Sequence, residues 1–134
     1  MGWTKLNFDG SRNDATGAAS IGGAFRDHEG AFVAGYAERM IGGGASSFTA
    51  ELAARRRGLE LAARYGWRRV WAEGDSRAVV DVVHGVRSEE DRRQCGEIAA
   101  LLPALDGVAV SHLCRDENKV AHGFAKLGHK ARRS

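Results

Sequence analysis

Phe-Thr-Ala-Glu-Leu-Ala-Ala-Arg-Arg-Arg-Gly-Leu-Glu-Leu-Ala-Ala-Arg-Tyr-Gly, residues 48–66, runs directly into Trp-Arg-Arg-Val-Trp-Ala-Glu-Gly-Asp-Ser, residues 67–76. In the first segment apolar residues recur at helical spacing and Gly66 follows them, which predicts a helix from about Phe48 to Tyr65. From Arg68 to Gly74 apolar and polar residues alternate, as they do in a strand. With a strand before it, this pair forms a βαβ unit, which requires two strands to run parallel in one sheet.

Three strands are predicted before the helix. Lys5 to Asp9 alternates polar with apolar residues and is predicted to end at Asp9, followed by a polar loop from Gly10 to Gly17. Ala18 to Asp27 and Ala31 to Met40 are two further strands, and the turn glycine of the short segment between them predicts a hairpin. Three consecutive strands of this kind imply an antiparallel meander.

The second half of the chain is predicted to be mainly helical. Ser76 begins one helix, and Arg92 to Leu105 forms another that is interrupted or tilted near its proline. Val108 to Leu113 is a short strand, and Asn118 to about Lys130 is the closing helix. The order βββαβααβα predicts a single α/β domain over residues 1–134, with a mixed five-stranded sheet and helices on both of its faces.

Composition limits the class of protein. Twenty Lys and Arg residues against 17 Asp and Glu give a net charge of +3, and basic residues gather in the middle and at the end of the chain. Such clusters can contact phosphates or form a solvated helix face. Cys95 and Cys114 lack metal-type spacing and are interpreted as reduced thiols, and the uncharged run Met40 to Ala50 is too short and polar to span a bilayer. We therefore expect an intracellular monomer, nuclear or cytoplasmic, without a membrane segment.

Three carboxylates lie where predicted elements begin or end. Asp9 ends the first strand, Glu51 lies near the start of the helix, and Asp75 ends the following strand. Ligands collect at the C-terminal edge of adjacent parallel strands, so these acids are predicted to meet there. Converging oxygen ligands are what divalent cations require, and two such ions activate water for phosphodiester hydrolysis. Each acid alone also has a structural interpretation, as a turn residue, a helix-dipole partner or a helix cap.

The motifs around these acids resemble, in order and spacing, those of the ribonuclease H family. They are Asn7-Phe8-Asp9-Gly10-Ser11, Thr49-Ala50-Glu51-Leu52 and Glu73-Gly74-Asp75-Ser76. The segment Glu117 to Leu127 is similar to the last motif of plant domains associated with retroelement reverse transcriptases. The resemblance implies the ribonuclease H fold and hydrolysis of the RNA strand of RNA–DNA hybrids. It also implies a two-metal site for Mg²⁺ or Mn²⁺, with Asp9, Glu51 and Asp75 as catalytic metal ligands.

The fourth acid of the family is replaced here by His122. An imidazole can coordinate a divalent ion, but it adds no negative charge and suits Mn²⁺ or Zn²⁺ better than Mg²⁺. The resemblance therefore implies that His122 is a weak fourth metal ligand, so that the second metal binds less tightly. The alternative is a neutral, hydrogen-bonded histidine in a decayed site. His112 corresponds to the family's mobile histidine and is a candidate proton shuttle, or else an ordinary histidine at a strand end.

The resemblance also implies substrate contacts. Gly10, Ser11 and Ser47 match positions that read the RNA strand through its 2′-OH. Arg77 is predicted to make a general phosphate contact, and Asn118 is a further predicted substrate-binding residue. The chain lacks the asparagine pair of typical bacterial members, which argues against strict selectivity for hybrids and leaves other double-stranded nucleic acids as partners.

Two further functions stay open beside the nuclease. One is a catalytically impaired domain that still binds nucleic acid, and the other is a domain retained for contacts with another protein. Arg55, one helical turn after Glu51, is predicted to pair with Glu51, to contact a phosphate, or to extend past the edge of the core.

Overall fold

The structure is a computed structural model, and it describes residues 2–13, 15–40, 46–74, 89–112 and 115–129, with only the backbone at 115 and 116. The helix predicted to begin at Ser76 lies outside these residues. Within them the strands are β1 Thr4–Arg12, β2 Ala19–Arg26, β3 Phe32–Arg39, β4 Arg69–Gly74 and β5 Gly107–His112. The helices are α1 Ser47–Tyr65, α2 Glu89–Leu101 and α3 Lys119–Gly128, with 3₁₀ turns at Leu102–Ala104 and Arg115–Asn118.

The five strands form one mixed sheet in the order β3-β2-β1-β4-β5. The pairs β1–β2 and β2–β3 are antiparallel, whereas β1–β4 and β4–β5 are parallel. The parallel pair β1–β4 is connected through α1, as the βαβ pattern predicts. The predicted meander and mixed five-stranded sheet are therefore confirmed.

Helices cover the sheet on both faces, as predicted. Leu6 and Phe8 are fully buried on the face that packs against α1. On the other face, Ala125 and its neighbours in α3 lie so close to Gly22 of β2 that any side chain at Gly22 would collide with the helix backbone. Because successive residues of a strand point to opposite faces, Asp9 lies on the α3 face of β1.

The end of β1 differs from the prediction. The strand continues past Asp9 to Arg12, because Gly10, Ser11 and Arg12 pair with residues of β2 in antiparallel register. The predicted end at Asp9 and the predicted loop from Gly10 are therefore wrong. Asp9 lies within the sheet, where its pairing with Gly22 of β2 fixes its backbone.

The helix α2 also differs from its prediction. It begins at Glu89, three residues before the predicted start, and three acidic residues occupy its first turn, where they favour the helix dipole. It ends at Leu101, and Pro103 lies in the following 3₁₀ turn rather than inside the helix. None of the described helices has the length and apolar character to cross a membrane.

Candidate active site

Asp9 is held deep in the sheet next to α3. Asp9 is 3% exposed, and its Oδ2 atom lies 2.8 Å from Nδ1 of His122 on α3. The His122 side chain is 46% exposed, so the pair joins a buried carboxylate to an imidazole at the surface. The structure thus brings two of the predicted site residues, His122 and Asp9, into direct contact.

Glu51 lies on α1, and this helix approaches β1 very closely because Gly10 has no side chain. A Cβ atom at Gly10 would stand 2.6 Å from the backbone nitrogen of Glu51, closer than real Cβ contacts allow. The first turns of α1 therefore rest on the backbone of the residue that follows Asp9. Glu51 is itself only 8% exposed, which places two largely buried acidic residues on touching elements.

The start of α1 removes one structural interpretation of Glu51. Ser46 caps the helix, since its Oγ accepts a hydrogen bond from the amide of Thr49 at 3.1 Å. Glu51 therefore lies in the second turn, and the first turn contains no acidic residue. The helix dipole acts mainly on the first turn, so it does not explain why a carboxylate lies at Glu51. Burying that carboxylate costs free energy of desolvation, which the dipole does not offset.

Asn118 connects the start of α3 to β1. Its Nδ2 donates a hydrogen bond to the carbonyl oxygen of Phe8 at 2.9 Å, and the side chain is buried. The bond joins Phe8, the residue before Asp9, to Asn118, which lies four residues before His122. Asn118 thus fixes the position of α3 relative to Asp9, and its predicted contact with substrate stays a prediction.

The ends of β4 and β5 lie side by side. Gly74, the last residue of β4, pairs with His112, the last residue of β5, and His112 is half-buried. A Cβ atom at Gly74 would stand 2.6 Å from the ring of Phe8, so this edge packs closely against β1. The predictions for Asp75 and Arg77 concern residues outside the described ranges.

The predicted substrate contacts Ser11 and Ser47 have different surroundings. Ser11 is half-buried in β1, and its Oγ lies 3.0 Å from Nε2 of His129 just beyond α3. Ser47 is exposed at the start of α1. Sequence reasoning did not identify His129, and a contact between residues 118 positions apart leaves no periodic signal in the chain.

Two other charged residues near the predicted site have their own partners. Glu73, a further acid of β4, lies 3.0 Å from Nζ of Lys5. Burial lowers the pKa of the Arg55 guanidinium, and the charge of nearby Cys95 raises it. Arg55 is thus half-buried near Cys95, and its predicted roles in pairing with Glu51, contacting a phosphate or extending past the core edge stay predictions.

The described residues contain no group of three or more His, Cys, Asp or Glu side chains that could hold a metal ion. They do contain Asp9 and Glu51, whose carboxylates are the hard oxygen donors that Mg²⁺ and Mn²⁺ prefer. These two residues fit part of a divalent-cation site, which needs further ligands beyond them.

Comparisons with known proteins agree with this architecture. The chain is similar to RNase H1 from the archaeon Halobacterium salinarum, with 25% identity over 96% of this chain and 98% of that one, at a TM-score of 0.85. It is similar to the N-terminal RNase H domain of a Mycobacterium tuberculosis protein, with 20% identity over 97% and 95% of the two chains, at a TM-score of 0.85.

A third solved structure, LC11-RNase H1 in complex with an RNA/DNA hybrid, is 21% identical over 92% of this chain and 94% of that one, at a TM-score of 0.79. These likenesses show that the fold is RNase H-like. No curated protein sequence matches the chain. The family described as reverse transcriptase-like matches residues 7–128. Because that match covers most of the chain, including Asp9, Glu51 and His122, the protein belongs to the reverse transcriptase-like family.

Proposed function

We propose that this protein is a metal-dependent endonuclease that hydrolyses the RNA strand of RNA–DNA hybrids. The observation that carries the proposal is the burial of Asp9 in β1 and of Glu51 in α1, two elements that touch at Gly10, in an RNase H-like fold. One structure of this fold was solved with an RNA/DNA hybrid, which supports the same class of substrate here.

The metal would be Mg²⁺ or Mn²⁺, held by Asp9, Glu51 and Asp75. When bound, such ions supply an activated water and stabilise the charge that develops on the phosphate. The chain's own contribution is to hold Asp9 and Glu51 in place before the ion arrives. Gly10 brings α1 against β1, and Asn118 fixes α3 against the carbonyl oxygen of Phe8.

His122 has a defined geometry for this role. Its Nδ1 atom lies within hydrogen-bond distance of Asp9, so it can ligate a metal only through Nε2 or after that bond breaks. We therefore propose that the main role of His122 is to orient the Asp9 carboxylate. While that bond is kept, His122 can act as a fourth metal ligand only through Nε2. His112 remains the candidate proton shuttle, because it ends β5 beside the end of β4.

The same contact favours the second candidate function. Whenever Nδ1 of His122 donates its hydrogen to Asp9, it competes with a cation for that carboxylate oxygen. This competition would leave a catalytically impaired domain that binds hybrids or other double-stranded nucleic acid, or one that serves protein contacts. The plant retroelement affiliation, the intracellular location in nucleus or cytoplasm, the monomeric state and the single domain over residues 1–134 are further predictions from the sequence.

The test is cleavage of an end-labelled RNA–DNA hybrid in Mg²⁺ and in Mn²⁺, separately. We expect the unmodified protein to cut the RNA strand and Asp9→Asn to leave it intact, while the exposed control Asp106→Asn cuts like the unmodified protein. If only His122→Asp cuts, the protein itself is the impaired binding domain. If neither cuts in either metal, the nuclease proposal is wrong.

A further inference from the structure

A second cluster of side chains lies on the Asp9 face of the sheet, toward the other end of β1. Lys5 of β1 pairs with Trp71 of β4 on one side and with Arg26 of β2 on the other. Trp3 lies just before β1. We call Trp3, Lys5, Arg26 and Trp71 the aromatic–basic patch, and alternation along β1 places it on the face that carries Asp9.

The patch is open to solvent and concave. Trp3 is 41% exposed and Trp71 40% exposed, although large aromatic side chains are usually well buried. The four residues line a cavity of about 360 Å³ together with the β2–β3 turn residues Asp27, His28 and Gly30. That volume lies in the range of pockets for small ligands, and so matches a single planar group better than a folded partner.

The Trp71 ring is held in a fixed orientation. Its indole Nε1 donates to Oγ of Ser111 on β5 at 2.7 Å, and Nζ of Lys5 stands 4.7 Å from the ring centroid. A ring fixed by its neighbours loses little conformational freedom when a second flat group stacks on it. The patch therefore offers a prepared stacking surface with a cation beside it.

The charges of the patch favour an anion. The Asp27 carboxylate accepts hydrogen bonds from the amides of Glu29 and Ala31, which hold its Oδ1 atom within the turn. Glu73 is matched by Lys5, in a partly exposed pair of the kind that contributes little free energy and exchanges readily. Among the residues that the structure describes, Arg26 donates to the neutral carbonyl of Gly30 and to no carboxylate. A phosphate can therefore pair with Arg26 directly, whereas an apolar partner would have to bury two cations.

Flat aromatic groups next to cations are the features that bind unpaired nucleic acid. Bases stack on the rings, and phosphates meet the basic side chains. Lys5 lies four residues from Asp9, which corresponds to about 13 Å along a strand. A strand that leaves a duplex bound at Asp9 is thus within reach of the patch.

We propose that the aromatic–basic patch binds a single strand of nucleic acid that continues from the hybrid, with a base stacked on Trp71 and phosphates at Lys5 and Arg26. The position of the duplex rests on the proposed function. The inference adds a substrate class, namely hybrids that carry an unpaired overhang. It also adds a binding site that can be measured without cleavage.

Intrinsic fluorescence gives a direct test, because the chain has only three tryptophans. Trp67 is half-buried and its ring centroid lies 4.8 Å from that of Phe25, so Trp67→Phe leaves Trp3 and Trp71 as the reporters. This variant is titrated with single-stranded oligothymidylate of about ten nucleotides, a length within the site sizes of single-strand binders, without divalent metal. We expect saturable quenching, and an absence of quenching overturns the proposal.

The residue assignments are tested by the anisotropy of a labelled oligothymidylate. Trp71→Ala is expected to weaken binding by about fivefold or more, as loss of one stacked base does, and Tyr65→Ala, an exposed aromatic outside the patch, is the matched control. Lys5→Gln and Arg26→Gln are each expected to reduce the slope of log K against log salt by about 0.7. Trp71→Ala binding equal to the control, or unchanged slopes, would contradict the proposal. If Trp71→Ala does not fold, the two charge variants decide it.

Blunt hybrids and hybrids with an overhang separate this proposal from the nuclease. We expect tighter binding of the overhang substrate, and loss of that preference in Trp71→Ala. Quenching and overhang preference without cleavage in either metal would support the patch and overturn the nuclease. Cleavage of a blunt hybrid without quenching would overturn the patch alone.

Discussion

The two ends of β1 carry opposite kinds of surface on the same face of the sheet. Around Asp9 the strand is buried, acidic and held by α3 through His122. Around Lys5 it is basic, flanked by exposed indoles and outside the cover of α3. Burial makes the first end sensitive to small changes, because desolvated groups depend on each contact. Exposure makes the second end tolerant, so its variants should change binding without changing the fold.

The largest effect is expected from the acidic end. Asp9→Asn removes one negative charge from the metal site and should lower hybrid cleavage by at least ~100-fold. The control is Asp106→Asn, which changes an exposed aspartate that pairs with Arg68 just before β5, at the end of that strand opposite His112. Single-turnover cleavage of a labelled hybrid measures both. If Asp9→Asn cuts at a rate within a factor of a few of the control, Asp9 is not a metal ligand.

The next effect comes from the close approach of β1 and α1. Gly10→Ala places a methyl group against the backbone of Ala50 and Glu51, which should lower the free energy of unfolding by about 1–3 kcal/mol and displace Glu51. Gly96→Ala is the matched control, because its new methyl meets nothing within 4 Å and α2 should gain about 0.5–1 kcal/mol. Urea denaturation measures both. Equal stabilities would show that α1 can move away from β1 at little cost.

Asn118→Ala should lower the free energy of unfolding by about 1–3 kcal/mol, the usual penalty for leaving a buried polar group without its hydrogen bond. The Phe8 carbonyl loses its donor, and α3 loses one link to β1. We expect a lower urea midpoint together with slower cleavage, because His122 is no longer held beside Asp9. A lower midpoint with unchanged cleavage of the folded protein would show that α3 keeps its position without this bond.

How far the sequence predicts this molecule depends on the range of the contacts involved. The helix predicted over Phe48 to Tyr65 is found at Ser47–Tyr65, because its signals are local: apolar periodicity, a serine cap, and Gly66 with φ of 78°. The predicted end of β1 is wrong, because Gly10 to Arg12 pair with β2. This pairing is a tertiary contact, and the polar character of these residues indicates a loop instead.

The candidate site also combines features that local sequence patterns predict with features that depend on tertiary contacts. The βαβ pattern predicts that Asp9 and Glu51 meet, and the resemblance to a known motif predicts His122 as a site residue, and both stay predictions. The structure adds that α1 touches β1 at Gly10 and that His122 contacts Asp9. The roles of Gly10 in close packing and of Asn118 in bonding to Phe8 depend on distances that no local pattern contains. The aromatic–basic patch requires the register that sets Lys5 opposite both Trp71 and Arg26, and that register is visible only in the assembled sheet.

The smallest effect is expected at the basic end, from Glu73→Gln. This change removes the carboxylate that lies 3.0 Å from Lys5 but keeps a side chain of the same shape. Lys5 then meets a phosphate without competition, and because partly exposed ion pairs are worth about 0.2–1 kcal/mol, single-strand affinity should rise by at most about fivefold. Anisotropy of labelled oligothymidylate measures the change, and blunt-hybrid cleavage should stay the same. A loss of cleavage instead would place Glu73 with the acids around Asp9 and would remove the functional separation between the two ends of β1.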